Sequence, residues 1–220
     1  MWFKERPILF SGAMVRAILS GAKTQTRRIV KPQPQMVTDT SIEPWRGVAT
    51  DLQRLLDASG RGCPYGQPGD RLYVRESFNL GRPLLNCEGV ADDEELWIGR
   101  LPKDDPRKQP FMSAWRVGYA ADGCEGKMRP SIHMPRWASR LTLEITGVRV
   151  ERLQAISEED AVAEGVTAGG SSMGIQFTAT QNFAALWESI NGHGSWEANP
   201  WVWVVEFRRI GCWRGFGTRM

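Results

Sequence analysis

The order of strand-like and helical patterns constrains this chain more than any single motif. Strand-like segments recur at 7–10, 24–30, 71–78, 113–121, 141–153 and 200–210; they outnumber the helical stretches and do not alternate with them. A doubly wound parallel sheet needs a helix in each crossover, so this order excludes it. The pattern predicts an α+β fold: a strongly bent or barrel-like sheet with a few packed helices.

At 220 residues the chain has the length of one well-buried domain, with segments 32–69 and 79–110 reading as inserts. The first insert is rich in Pro and Gly around a short helical stretch, "DLQRLLDA"; the second is acidic, then rich in Pro and Lys, and reads as a loop or lid. Ser11 offers an N-cap to a helix that Gly21 closes. Ser157 caps a short helix over 157–165, with Asp160 at the capping-box position and Glu158 and Glu159 complementing the dipole. Phe183, Leu186, Trp187 and Ile190 form the stripe of the clearest helix. Gly147 marks a bulge in the long strand 141–153, and the basic tail 208–220 is expected to be loose at its end.

The net charge of +3 permits a nucleic-acid partner without requiring one. Ten Trp are many for this length; most belong in a core, yet rings beside Arg also suit stacking on bases. No apolar run reaches the roughly 18 residues of a membrane helix. The opening "MWFKERPILFSGAM" lacks a signal-peptide layout, which makes the cytoplasm the expected location and a membrane partner unexpected. Four scattered Cys without a C-x-x-C pair read as idle thiols, and a zinc site with His133 or His193 lacks ligand spacing. No P-loop, dinucleotide fingerprint, G-x-S-x-G or H-E-x-x-H is present, so no cofactor is expected.

Chemistry-bearing residues concentrate in "GAKTQTRR", 21–28. Alternation places Thr24, Thr26 and Arg28 on one strand face and Gln25, Arg27 and Ile29 on the other. Lys23 and Thr26 therefore share a site only if Lys23 still belongs to the preceding turn. The alternative is an exposed strand with solvated cations. Glu164, in the last turn of a short helix, faces the negative end of the dipole, which reads either as an accident of the surface or as a way to hold a proton for acid–base work. Glu76, in "VRES", reads as an inward carboxylate that must pair with Lys or Arg, in a structural or a site role. His133, Arg136 and Trp137, in "HMPRW", read either as a rigid loop with Trp137 in the core or as a platform for a base and a phosphate.

Together, "FSGAMVRAILSGAKTQTRR", "GDRLYVRESF", "ITGVRVERLQAISEEDAVAEGV" and "WVWVVEFRRI" resemble the ASCH domain, a branch of the PUA-like superfamily. With "CPYGQPGDRLYVRESF" and "SIHMPRWASR" included, the whole chain resembles a longer ASCH-like group common in prophages. The resemblance implies a pseudo-closed β-barrel flanked by helices, with a cleft for RNA, single-stranded nucleic acid or a modified nucleoside. One branch comprises acetylcytidine amidohydrolases that rely on Lys, Thr and Glu, and by motif these fall on Lys23, Thr26 and Glu164. Under that resemblance Arg28 would stabilise an oxyanion or hold ribose or phosphate. The resemblance equally leaves open a ribonuclease that needs no metal, and a non-catalytic binder using Arg27, Arg28, Arg136 and Trp137.

Overall fold

The computed structural model describes residues 3–37, 42–81, 116–123, 127–172 and 175–212. Most of the 79–110 loop or lid, the start of the strand expected at 113–121 and the tail beyond Cys212 lie outside the described residues. In chain order the elements are β1 (Glu5–Leu9), α1 (Gly12–Leu19), β2 (Gln25–Ile29), β3 (Gln35–Val37), β4 (Ile42–Pro44), α2 (Ala49–Ala58), β5 (Arg71–Arg75), β6 (Phe78–Gly81), β7 (Arg116–Tyr119), β8 (Leu141–Arg152), α3 (Glu158–Ala163), β9 (Ser171–Ser172), β10 (Ile175–Gln176), α4 (Ala179–Asn191) and β11 (Trp201–Cys212).

The fold is α+β. Its main sheet has the order β1-β5-β8-β11-β2, with β1 parallel to β5 and every other pairing antiparallel. Among the described residues no backbone ladder joins the two edge strands, β1 and β2. A side chain joins them instead: Arg28 Nη2 donates to the Leu9 carbonyl at 2.7 Å. The sheet therefore curls until one arginine spans its two edges.

Strand β11 explains why the sheet carries layers on both faces. Trp201 to Val205 are all buried, which simple alternation with one wet face does not allow. Trp203, Val205 and Phe207 enter one core with Ile8, Val15, Leu72 and Leu143. Val202 and Val204 enter a second with Leu153, Phe183 and Trp187, closed by α3 and α4. The bulge beside Gly147 is present: pairing slips between Glu206 and Phe207, so Thr146 is passed over. A Cβ at Gly147 would meet the Glu206 carboxylate at 2.6 Å, so glycine there leaves room for that side chain.

Segment 32–69 is less of an appendage than its composition implies. Its helix, α2, buries Leu52 and Leu56 in the first core, and Trp45, Cys63 and Tyr65 pack against the same core. The acids of α3 also act differently from the expectation. Ser157 Oγ accepts from Asp160 N as an N-cap should, but the Asp160 carboxylate turns to Arg27 and Arg149 rather than completing a box. Glu158 caps the next helix, its two oxygens accepting from the N–H groups of Ala179 and Thr180 at the start of α4. Among the described residues no helix is long and apolar enough to cross a membrane.

Candidate functional site

The site begins where α1 stops. Gly21 takes the left-handed conformation (φ 82°) that ends the helix, and Lys23 N then donates to the Ala17 carbonyl at 3.0 Å. Lys23 thus stands in the turn, ahead of β2, which meets the condition for sharing a site with Thr26. Next, Thr24 N donates to the Ala163 carbonyl at 2.8 Å, and Lys23 and Glu164 form an isolated antiparallel bridge. That bridge docks the C-terminus of α3 on the start of β2.

Side chains repeat the same pairing. Lys23, 2 % exposed, donates from Nζ to Glu164 Oε2 at 2.6 Å and to the Glu164 carbonyl at 2.8 Å. The ammonium therefore caps the negative end of α3 as well as pairing its last carboxylate. The Phe10 ring lies 5.7 Å from the same nitrogen. Burial holds the Lys23 amine below the ordinary lysine range; Glu164 opposes that shift, while Arg28 and Arg27 add to it. Gly165 makes the approach possible: with φ at 85°, a Cβ there would sit 3.0 Å from Ala17 Cβ and 3.1 Å from Lys23 Cβ.

Arg27 fixes Glu164 from its other oxygen. Its Nη1 donates to Glu164 Oε1 at 3.4 Å, and its Nη2 to Asp160 Oδ2 at 2.6 Å and Glu151 Oε2 at 3.1 Å. Arg149 binds Glu151, Asp160 and Glu206, so two guanidiniums and a lysine share four carboxylates. Gln25 Nε2 adds a bond to the Asp160 carbonyl. These partners let Gln25 and Arg27 be buried on either side of Thr26, itself buried, on a strand covered on both faces. Burial raises the Asp160 carboxyl, but Arg27, with Arg149 and Gln25, outweighs it and holds that group below the usual range.

A cleft of about 590 Å³ follows β2, a volume typical of small-molecule sites. Lys23, Thr26, Arg27, Arg28 and Glu164 all line it. Segment 32–69 contributes Leu56 and Tyr65 to its walls, and α4 contributes Phe183 and Trp187. Leu186 and Ile190 line it too, so part of the apolar stripe of α4 serves the cleft rather than the core; Ile190 is 56 % exposed. Thr26 Oγ1 makes no hydrogen bond to another described residue, which leaves the hydroxyl free for a ligand. Arg28 Nε and Trp187 Nε1 are buried without an acceptor. Lys31 and Arg61 are cleft residues that the sequence did not single out, and Trp187 reads in the sequence only as part of the apolar stripe of its helix.

Glu76, His133, Arg136 and Trp137 do not line this cleft. Glu76 is fully buried and takes two bonds from Arg140, at 2.9 and 3.2 Å; Arg140 also holds Asp122 and stacks 3.9 Å from the Tyr119 ring. Burial pushes the Glu76 carboxyl up against the pull of Arg140. In the 133–137 loop the core position belongs to Met134 and Ala138, packed on Phe78, whereas Trp137 is 41 % exposed. The core placement of Trp137 is thereby corrected: one 3-10 turn over Arg136–Ala138 aims Ala138 inward and the indole outward. Arg136 is bidentate to Glu5, at 2.7 and 2.8 Å, and His133 is exposed. Cys63 is a free, partly buried thiol, and among the described residues no three His, Cys, Asp or Glu side chains gather as metal ligands. No protein-family profile, curated protein or solved structure matches the chain.

Proposed function

We propose that this chain is an ASCH-type protein, its curled sheet a PUA-like barrel left open at one seam, that hydrolyses the exocyclic amide of an acylated cytidine-like base. The observation that carries the reading is the gathering of the Lys23 amine, the Thr26 hydroxyl and the Glu164 carboxylate on one cleft. A threonine hydroxyl needs a base to attack an amide, and a lysine whose amine burial holds below the ordinary range is the candidate beside it.

In the proposed sequence Thr26 Oγ adds to the amide carbonyl carbon while Lys23 Nζ takes its proton. Arg28, two residues further along β2, lies on the ribose side of the base. The tetrahedral species then breaks its C–N bond, and the exocyclic nitrogen leaves with the proton from Lys23 or Glu164. Water cleaves the resulting threonine ester, releasing the carboxylic acid and restoring the hydroxyl. Arg27 acts as a positioning residue, holding Glu164 from behind. Purified protein should convert acetylcytidine to cytidine, and Lys23→Ala and Thr26→Ala should each abolish the conversion. Failure of the unmodified protein to turn over any acylated cytidine would refute the reading.

A second reading draws on residues outside the cleft. Trp137 stands exposed beside Arg136 and His133; Arg136 lies 5.3 Å from the Tyr73 ring, and Arg71 stacks 3.6 Å from Phe3. Such a cation–aromatic face suits a single-stranded nucleic acid. It predicts salt-dependent oligonucleotide binding that survives Thr26→Ala and falls with Trp137→Ala.

A further inference from the structure

The cleft is not electrically balanced. Of the cations that line it, Lys23 and Arg27 are neutralised by Glu164, Asp160 and Glu151. Arg28, Lys31 and Arg61 line it as well, and among the described residues none of them meets a carboxylate. Among the described residues Glu164 is the one acid in the lining, and it is already shared by two partners. Arg28 spends one nitrogen on the Leu9 carbonyl and keeps Nε buried without an acceptor. Trp187, nine-tenths buried on the facing wall, likewise keeps Nε1 without one. Buried donors beside uncompensated cations are costly in an empty site and are satisfied by an anion rich in acceptors.

Spacing locates that anion. Thr26 and Arg28 fall on the same face of β2, two residues or roughly 7 Å apart along the strand, with Lys31 further on in the same direction. The reacting amide and a negative group are therefore separated along one line, as a base is separated from the phosphate on its ribose. We propose that the substrate carries a phosphate on the ribose, held by Arg28 together with Lys31 and Arg61, while the base reaches Lys23, Thr26 and Glu164. The proposal rests on the amidohydrolase reading for the identity of the base. The phosphate could belong to a free nucleotide or to a short RNA strand, and the chemistry that recognises it is the same.

Equilibrium binding tests this without turnover. Cytidine, cytidine 5′-monophosphate and a cytidine-containing dinucleotide would be titrated calorimetrically into the whole protein at low and at high salt. The monophosphate should bind about tenfold tighter than cytidine or better at low salt, and the advantage should shrink with added salt. It should collapse in Lys31→Ala/Arg61→Ala, a variant confined to two exposed side chains and so expected to fold normally. A dinucleotide tighter than the monophosphate would assign the phosphate to RNA; equal affinity would assign it to a free nucleotide. Equal affinity for cytidine and its monophosphate, or an advantage untouched in the double variant, overturns the proposal. Acetylcytidine turnover measured alongside separates the readings: tight, salt-sensitive binding without hydrolysis fails the amidohydrolase and leaves the phosphate site standing.

Discussion

Replacing Glu164 with glutamine isolates what the buried pair contributes. The substitution keeps the shape of the side chain and strips its charge. Removing one partner of a buried pair costs about 3–5 kcal/mol. Here Arg27 keeps Asp160 and Glu151, and Lys23 keeps the Glu164 carbonyl at 2.8 Å. The low end, about 3 kcal/mol, is therefore expected, which in a chain of this size lowers Tm by roughly 6–12 °C. The deficit should also depend on pH. Glu164 is the largest influence raising the Lys23 amine against its burial, so its loss lowers that pKa further. A base whose folded pKa lies below its unfolded value of about 10.4 binds more protons unfolded than folded in between. Stability then rises with pH across that window, and the deficit of Glu164→Gln should shrink from neutral pH to about pH 10. Thermal and urea unfolding across that range, with Lys23→Met/Glu164→Gln as the variant that removes both charges, complete the test. The double variant should recover part of the loss. A single variant that unfolds with the unmodified protein at every pH, or whose deficit is flat with pH, refutes the reasoning.

Arg140→Met strands the Glu76 carboxylate, whose pKa burial already raises. Its loss of about 3–5 kcal/mol at neutral pH should ease as the pH falls, because a carboxyl held high by burial takes up its proton more readily folded than unfolded; urea midpoints at neutral and acidic pH check it. Gly165→Ala forces a side chain into the left-handed region, at about 1–2 kcal/mol, and presses its Cβ on Lys23. Differential scanning should show the Tm loss, and acetylcytidine turnover a fall in kcat. Leu52→Ala empties a position in the main core and should cost about 2–5 kcal/mol; an unchanged midpoint would mean that segment 32–69 is an appendage after all.

Much of the fold was legible because local signals were strong. Ser11 and Gly21 bracket α1, Ser157 opens α3, and Gly147 flags its bulge, each through backbone chemistry that one residue carries alone. The fate of polar residues was harder to read. Gln25, Thr26 and Arg27 alternate like an exposed strand, yet all three are buried, and the acids that Arg27 needs come from β8 and α3, 124 to 137 residues away. Nothing near Arg27 in sequence announces Glu151 or Asp160. Trp137 failed in the opposite sense: a large aromatic reads as core, but the turn geometry gave the interior to Met134. Arg61 and Lys31 flank Pro- and Gly-rich stretches whose path over the sheet is a tertiary matter.

The site owes its character to a seam that the backbone leaves open. Thr24 and Val30 bond to β11, through Phe207 N to the Thr24 carbonyl and Val30 N to the Trp201 carbonyl. By antiparallel alternation the backbone groups of Thr26 and Arg28 also face β11, and those of Gln25, Arg27 and Ile29 face the other way. An open edge of this kind would invite pairing with another strand if it lay bare. Here residues of segment 32–69 and α4 line one cleft with Arg27 and Ile29 of this strand. A ladder between β1 and β2 would satisfy the edge and displace Arg28 from Leu9, removing the guanidinium and the free main-chain groups together. A closed barrel and this cleft are thus mutually exclusive uses of the same strand. A planar base, with donors and acceptors along its rim, is the kind of ligand that can take the place of the absent ladder.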